Sequence, residues 1–420
     1  MARVLYSLLL HLALPLILAR LLWRARRQPA YRQHWGQRFG CYRAPPPGPC
    51  LWLHAVSVGE TRAAQPLVTA LLERYPDHWL LLTGMTPTGR ETATQVFAAH
   101  ADRVHYVYAP YDFPFAVARF FRHFRPRAGI LMETEIWPNL LAGAQQAGVP
   151  VMLANARLSA RSARGYERFA ALSRPAFASL ASIAAQSEAD AERFRRLGAK
   201  HLAICGNIKF DVTPPPAALA LGDDWRQALG RRPVWLAAST REGEDEEILT
   251  AFASLNIPAL LLVLVPRHPQ RFDAVANLAA ARGFPTQRRS QTLPGTETRV
   301  WIGDSMGEMA AYYRCADVAL IGGSLLPFGG QNLIEAAACG CPTLLGPHTY
   351  NFAQSAEDAV AAGAALRIAG SAELAPALQQ LFLDHEKRRT MADAALSFAA
   401  AHRGATARNL ALVETLAPPA

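Results

Sequence analysis

The chain is short of several things that announce a function. Its six cysteines are Cys41, Cys50, Cys205, Cys315, Cys339 and Cys341, and no two form a CxxC pair. Cys339 and Cys341 make a CxC among small residues, with no histidine following at ligand spacing. Reduced core thiols are the reading this favours over disulfides or a metal. There is no zinc-finger spacing, no aromatic RNP-like motif and no long Lys/Arg block, which makes nucleic acid the weakest partner. The GxxxxGK[ST] signature is missing, so a P-loop nucleoside triphosphatase is disfavoured. Charged residues are only 18% of the 420, against 51% hydrophobic. Such a chain buries sizeable cores, and its length suits about two domains. The formal net charge of +10 then points to an anionic membrane face or an acidic substrate.

One hydrophobic run stands out. From Val4 to Ala19 there is no charge, and then come Arg20, Arg24, Arg26, Arg27, Arg32 and Arg38. A run of about 16 residues is slightly short of a spanning helix of about 20, and Leu21, Leu22 and Trp23 extend it if Arg20 snorkels. An arginine cluster follows where a signal peptide would carry its small-residue cleavage site. Residues 1–27 therefore read as a membrane-anchor helix with the remainder of the chain cytoplasmic. The sequence leaves open whether the anchor spans the bilayer or lies in its interface. The blander alternative is a buried helix kinked at Pro15.

Beyond a Pro/Gly-rich connector at residues 36–50, short apolar runs alternate with helical patterns. Strand-like stretches fall at 51–58, 79–85, 103–110, 128–138, 150–158 and 201–211, with a helix predicted over 61–75 and a strand-then-helix unit over 181–199. Pro214, Pro215 and Pro216 form a stiff break. The alternation resumes with 233–240, 259–272, 298–309, 316–326 and 331–347, then helices at 371–384, 386–402 and 404–416. Near-continuous apolar strands between helices predict parallel sheets covered on both faces. The predicted organisation is an anchor (1–27), a Rossmann-like domain (28–212), a linker (213–217) and a second Rossmann-like domain with C-terminal helices (218–420). Ligands of such sheets bind at strand carboxyl ends, so two such domains would face each other across a cleft.

Those strand ends carry the candidate chemistry. In the second half, Pro266 and Arg267 follow an apolar strand, where a guanidinium meets a phosphate; a solvated loop arginine is the alternative. Gly303–Glu308 forms a glycine-bracketed turn in which Met306 is placed to pack on a base. Gly322, Gly323, Gly329 and Gly330 precede a helix starting near Gln331 or Asn332, the pattern of an anion site, with Glu335 suited to a ribose diol. Glu335 alone is as well explained as a first-turn acid. In the first half, Ser57–Glu60 ends a strand and opens a helix, placing Glu60 as a candidate base or, equally, a helix-start residue. Period-two spacing puts Glu133 and Glu135 on one face if the strand continues. Buried carboxylates need partners, and Asn155 or Arg157 could supply them. Lys209, just before the linker, is a candidate cation for an anionic donor or a plain surface lysine.

These residues carry a resemblance spanning nearly the whole chain. HAVSVGE, MTPTG, METEIWPN, ANARLSARS, GNIKFD, PRHPQRF, GDSMGEM and GGSLLPFGGQNLIEAAACGCPTLLGPHTYNF occur in order. The chain resembles the Kdo (3-deoxy-D-manno-octulosonic acid) transferase family. The resemblance implies a GT-B fold, CMP-Kdo as donor and a lipid A precursor (lipid IVA) at the cytoplasmic face of the inner membrane as acceptor, in lipopolysaccharide core synthesis. It also implies Glu60 as general base, Glu133 and Lys209 as transition-state stabilisers, and CMP contacts at Pro266, Arg267, Met306, Gly307, Glu308, Asn332, Leu333, Ile334 and Glu335. Neither a metal nor another cofactor is expected. A UDP-sugar transferase of the peptidoglycan-lipid type and a catalytically silent membrane scaffold are the competing readings. The number of Kdo units added and the oligomeric state are not legible.

Overall fold

A computed structural model describes residues 1–45 and 47–419. Pro46, within the predicted connector, and Ala420, the last residue of the predicted second domain, lie outside the described residues. The chain divides into two units, one of residues 1–212 with 403–420 and one of residues 213–402.

The first unit is built on β1 (Cys50–His54), β2 (Trp79–Gly84), β3 (Val104–Tyr108), β4 (Gly129–Met132), β5 (Val151–Ala156), β6 (Ser182–Ala185) and β7 (Leu202–Ile204). They pair in the order β3-β2-β1-β4-β5-β6-β7, parallel throughout. Side-chain alternation sends Trp52 to a core with Phe120, Phe121 and Leu140 on one face. Its neighbour Leu53 joins Leu67, Leu71 and Met152 on the other. Both faces are thus covered, as near-continuous apolar strands require. The chain runs from β1 outward to β2 and β3, then returns to the other side of β1 to lay down β4. The carboxyl ends of β1 and β4 therefore flank the switch point where such sheets bind ligands.

The second unit contains β8 (Val234–Thr240), β9 (Leu261–Pro266), β10 (Thr286–Arg288), β11 (Val300–Ile302), β12 (Val318–Ile321), β13 (Thr343–Leu345) and β14 (Ala365–Arg367). Their order is β10-β11-β9-β8-β12-β13-β14, and its switch point lies between β8 and β12. The edge strands β10 and β14 were not predicted; each has three residues and no apolar run.

Several expected boundaries move. The segment expected to be a strand to residue 58 ends at His54, and a helix starts at Val58. A break at Ala64 divides the helix expected over 61–75 into Val58–Ala63 and Gln65–Arg74. A helical turn at Trp35–Arg38 enters the predicted connector. Pro216 belongs not to the linker but to the first turn of helix Pro216–Leu229, where its fixed φ fits and no N–H is missed.

The largest shift concerns the last helix. Residues 403–420 were expected in the second domain, yet helix Ala405–Leu416 belongs to the first unit. Val413 is fully buried in the first unit's core. The Asp211 carboxylate accepts the Gly404 N–H at 2.6 Å, the Tyr75 hydroxyl donates to the Ala417 carbonyl at 2.6 Å, and Arg127 donates to the Pro418 carbonyl at 3.0 Å. Periodicity shows that a helix has an apolar face but not which sheet it covers.

The N-terminus is a bent pair rather than the single anchor helix expected. Helices Ala2–Leu12 and Leu14–Arg27 meet at 51°. Pro15, in the first turn of the second helix, explains the break: it donates no N–H and its ring clashes with the preceding turn. Among the described residues no single helix is long and apolar enough to cross a membrane, while this pair passes by length and composition together. Two of its polar side chains bond to the first unit: the Tyr6 hydroxyl donates to Asp112 at 3.0 Å and the Ser7 hydroxyl to Asn139 at 3.1 Å. Val4, Leu5, Leu8, Leu9, Leu12, Leu16, Leu22 and Trp23 remain exposed.

Candidate active site

Glu60 lies in the first turn of helix Val58–Ala63, at the carboxyl end of β1. Ser57 is the N-cap: its oxygen accepts the Glu60 N–H at 3.2 Å, and its hydroxyl donates to Glu60 Oε1 at 2.9 Å. The Val56 N–H donates to Glu60 Oε2 at 2.8 Å. This reciprocal arrangement is a variant of the capping box, so the helix-start role is real. It also fixes the carboxylate. Burial pushes its pKa up from 4.5 to about 7, the Val56 N–H pulls it back, and the nearby Glu133 and Glu135 charges raise it further. A carboxyl balanced near neutrality both accepts and returns a proton readily.

Glu133 follows β4 directly, across the switch point. Its φ of +56° is left-handed, an uncommon conformation for a residue with a Cβ. The strand therefore stops at Met132, and period-two alternation does not relate Glu133 to Glu135. The Glu135 carboxylate instead accepts the Trp137 indole N–H at 2.9 Å. Arg157 Nε lies 3.0 Å from Glu133 Oε2 and Lys209 Nζ lies 3.4 Å from Oε1. Burial works to raise the Glu133 pKa, but the two cations outweigh it and hold the carboxyl below its ordinary value.

Lys209 owes its place to a short turn, Ile208–Asp211. The Asn155 side-chain oxygen accepts the Ile208 N–H and the Asn207 oxygen accepts the Lys209 N–H, both at 3.0 Å. Asn155, fully buried and itself at φ +50°, thus positions the Lys209 turn and is not the Glu133 partner expected. Glu60, Glu133, Arg157 and Lys209 are all gathered at one edge of the first sheet.

In the second unit, Pro266 ends β9 buried while Arg267 is exposed, its Nε donating to the Gln331 side chain at 3.1 Å. Met306 is exposed at 59%, and Gly307 takes φ +84°, which suits glycine alone. The Glu308 carboxylate accepts from Arg289 at 2.9 Å. The helix after the Gly-rich stretch is only Leu333–Ala338, with Asn332 as its N-cap. Asn332 accepts the Ile334 N–H at 3.2 Å and donates to the exposed Glu335 at 3.0 Å. The Leu333 and Ile334 side chains are buried, so these two positions offer a ligand backbone atoms only. A six-residue helix has a small dipole, which weakens the expectation of a strong helix-end anion site. Among the described residues, no cluster of three or more His, Cys, Asp or Glu is placed to hold a metal.

Residues 33–212 match the family described as 3-deoxy-D-manno-octulosonic-acid transferase (kdotransferase). The chain is 45% identical to the 3-deoxy-D-manno-octulosonic acid transferase of Bordetella pertussis, with 99% of both chains covered. It is 39% identical to that of Haemophilus influenzae, over 99% of this chain and 98% of the relative. This chain belongs to the Kdo transferase family. It is a glycosyltransferase. Among solved structures, Anabaena Alr3699/HepE in complex with UDP matches with a TM-score of 0.61 at 16% identity, covering 88% of this chain and 99% of that one. A glycosyltransferase from Rickettsia africae matches with a TM-score of 0.61 at 12% identity, over 89% and 100%. Both likenesses speak to the fold, the GT-B class of two Rossmann-like domains.

Sequence reasoning overlooked one organising residue of this Kdo transferase. Glu244 stands in the acidic run EGEDEE (242–247) and opens helix Glu244–Ser254. Its fully buried carboxylate accepts the N–H groups of Gly323 at 2.6 Å, Arg241 at 2.8 Å and Leu325 at 3.0 Å. It thereby shapes the loop leaving β12 at the switch point. Gly322 is needed there because a Cβ would lie 2.5 Å from the Ser239 carbonyl oxygen. The available signal was Glu244 within a run of acids, with Glu242 before it and Asp245, Glu246 and Glu247 after it, which does not reveal long-range N–H partners.

Proposed function

We propose that this Kdo transferase moves Kdo from CMP-Kdo to a phosphorylated lipid A precursor, lipid IVA, with inversion and release of CMP. The observation carrying the proposal is Glu60, buried and balanced near neutral pH beside the Glu133–Arg157–Lys209 group. Glu60 takes the proton of an acceptor hydroxyl as its oxygen attacks the anomeric carbon of Kdo. The bond from that carbon to the CMP phosphate oxygen breaks, and CMP leaves with the electron pair. Glu133 holds Lys209 and Arg157 in place, and their positive charge stabilises the charge developing in the transition state.

Donor recognition falls to the second unit in this reading. Arg267 meets the CMP phosphate, Pro266 and Met306 pack against the nucleotide, and the Gly307–Glu308 turn brings backbone groups close to it. Asn332 through Glu335 serve the ribose, with Glu335 as acceptor for its hydroxyls and backbone atoms contributed by Leu333 and Ile334. The bent N-terminal pair anchors the enzyme at the cytoplasmic face of the inner membrane, supported by its exposed leucines and the arginines beside them.

The test is incubation of the full chain with CMP-Kdo and acceptor lipid, followed by product mass. Addition of Kdo with stoichiometric CMP release is expected, and CMP should inhibit where UDP does not. Absence of product, or stronger inhibition by UDP, refutes the donor assignment.

A further inference from the structure

The transfer mechanism uses Lys209 but does not explain what holds it. Lys209 sits in the short turn Ile208–Asp211, and a single turn has little stiffness of its own. Its neighbours Ile208 and Phe210 are buried, while the Lys209 side chain, 19% exposed, runs to Glu133. The bonds that fix this turn lead to residues far along the chain.

They converge on helix Ala405–Leu416. Just before the turn, Arg408 Nε donates to the Cys205 carbonyl at 2.9 Å. At the start of the turn, the Asn155 side chain accepts the Ile208 N–H at 3.0 Å. Asn155 is held in its turn: its own N–H donates to Asn409 Oδ1 at 3.2 Å. At the end of the turn, the Asp211 carboxylate accepts the Gly404 N–H at 2.6 Å and the Thr406 N–H beside it. These are donors that the first turn of a helix leaves unpaired.

Asn409 is fully buried, and its chemistry matches its place. The register of β5 against β6 shifts between Leu153 and Ala156, and Asn155 lies within that shift at φ +50°. Such an irregularity leaves a backbone N–H without its ladder partner, and Asn409 supplies one from outside the sheet. Its Nδ2 donates to the Ala405 carbonyl at 2.8 Å. The amide is thus a strut, fixed at one end to its helix and at the other to the sheet. An apolar side chain there would leave the Asn155 N–H buried and unpaired.

We infer that Asn409 and Asp211 are positioning residues for Kdo transfer: through them the returning helix holds the 208–211 turn and keeps the Lys209 ammonium at Glu133. For its effect on turnover the inference rests on the proposed role of Lys209; for its geometry it does not.

The test uses Asn409→Leu, which removes the strut, in the full chain. Asn409 lies in the core, so Asp211→Ala, at a half-buried position, is the second variant and decides if the first does not fold. The first arm needs no turnover. The lysines of the chain are Lys200, Lys209 and Lys387, and Lys200 is exposed. Limited acetylation with acetic anhydride, read by peptide mass spectrometry, therefore measures Lys209 against Lys200 as an internal reference. Lys209 should react more slowly than Lys200 in the native chain, and the Lys209 to Lys200 ratio should rise about fivefold in either variant. An unchanged ratio in a folded variant overturns the inference.

The second arm is kinetic. In either variant kcat should fall about tenfold with KM for CMP-Kdo unchanged, and Asp211→Asn, which keeps one acceptor oxygen, should recover part of the loss. In a Lys209→Ala background neither variant should lower kcat further. The same fold loss in both backgrounds would show that the helix does not act through Lys209, and overturns the inference. Normal turnover of Lys209→Ala refutes the role proposed for Lys209, while the acetylation ratio still decides whether the helix holds it, so the two readings fail separately.

Discussion

The two switch points of this molecule have similar parallel-sheet architecture and opposite chemistry. At the first, between β1 and β4, the strand ends present ionisable side chains: Glu60, Glu133, and through it Arg157 and Lys209. At the second, between β8 and β12, they present glycine backbone, and the buried carboxylate there, Glu244, is consumed in holding that backbone. A group that moves protons needs a side chain whose charge is tuned by burial and neighbours. A group that grips a nucleotide needs backbone donors brought close, which glycine permits and a buried acid fixes. The difference teaches that an acidic residue at a strand end is a reagent or a scaffold according to how many N–H groups it serves.

That contrast is breakable. The largest effect is expected from Glu60→Gln, which keeps the helix cap but removes the base: kcat should fall about 10²–10⁴-fold. CMP affinity, measured by titration, should be unchanged. Normal turnover in this variant removes Glu60 from the mechanism.

Lys209→Ala is expected next, with kcat lowered about a hundredfold and CMP affinity intact, because Arg157 still pairs with Glu133. Steady-state kinetics with both substrates checks this. A fall confined to KM for the donor would move Lys209 from charge stabilisation to binding.

On the other side, Arg267→Ala should weaken CMP binding about tenfold with little change in kcat at saturating donor. Glu244→Gln should leave the chemistry in place but destabilise the second unit by about 1–3 kcal/mol, since an amide N–H₂ then faces backbone N–H groups. Thermal unfolding reads this, and an unchanged transition would show the loop to be held by other means.

The smallest and most diagnostic effect is in pH. The folded-state pKa of Glu60 is raised from 4.5 to about 7. Between those values the unfolded chain has lost this proton while the folded chain keeps it, so stability falls as pH rises from about 4.5 to about 7, then levels. Glu60→Gln should make that slope shallower, most clearly near pH 7, while Asp112, which burial pushes up to about 6, keeps part of it at lower pH. Activity runs the other way: kcat/KM should rise with pH through about 7 as Glu60 ionises. A profile flat from pH 5 to 8 would break the link between burial and base.

Much of this was legible in residue order. Apolar strands between helices gave the two parallel sheets, and VSVGE, METE and GNIKFD marked the strand ends that carry charged groups. What pattern alone missed was long-range. Glu133 and Glu135 looked like alternating strand residues, but Glu133 takes a left-handed φ of +56° even though its N–H still bonds to the Ala154 carbonyl of the next strand. Asn155 looked like a partner for Glu133, yet it holds the Lys209 turn 53 residues on. Arg38 read as one more arginine behind an apolar run, and nothing local signals its burial.

The sequence by itself determined the alternation of strands and helices, the run of leucines followed by arginines, and the kinds of side chain placed at strand ends, because these follow from periodicity and residue chemistry within a few positions. The tertiary structure decided which sheet the last helix covers, which acid becomes tuned and which becomes a scaffold, and which arginine of the N-terminal cluster is buried. Those outcomes depend on burial and on partners far away in the chain, and electrostatics inside a protein is set by what surrounds a charge rather than by what precedes it.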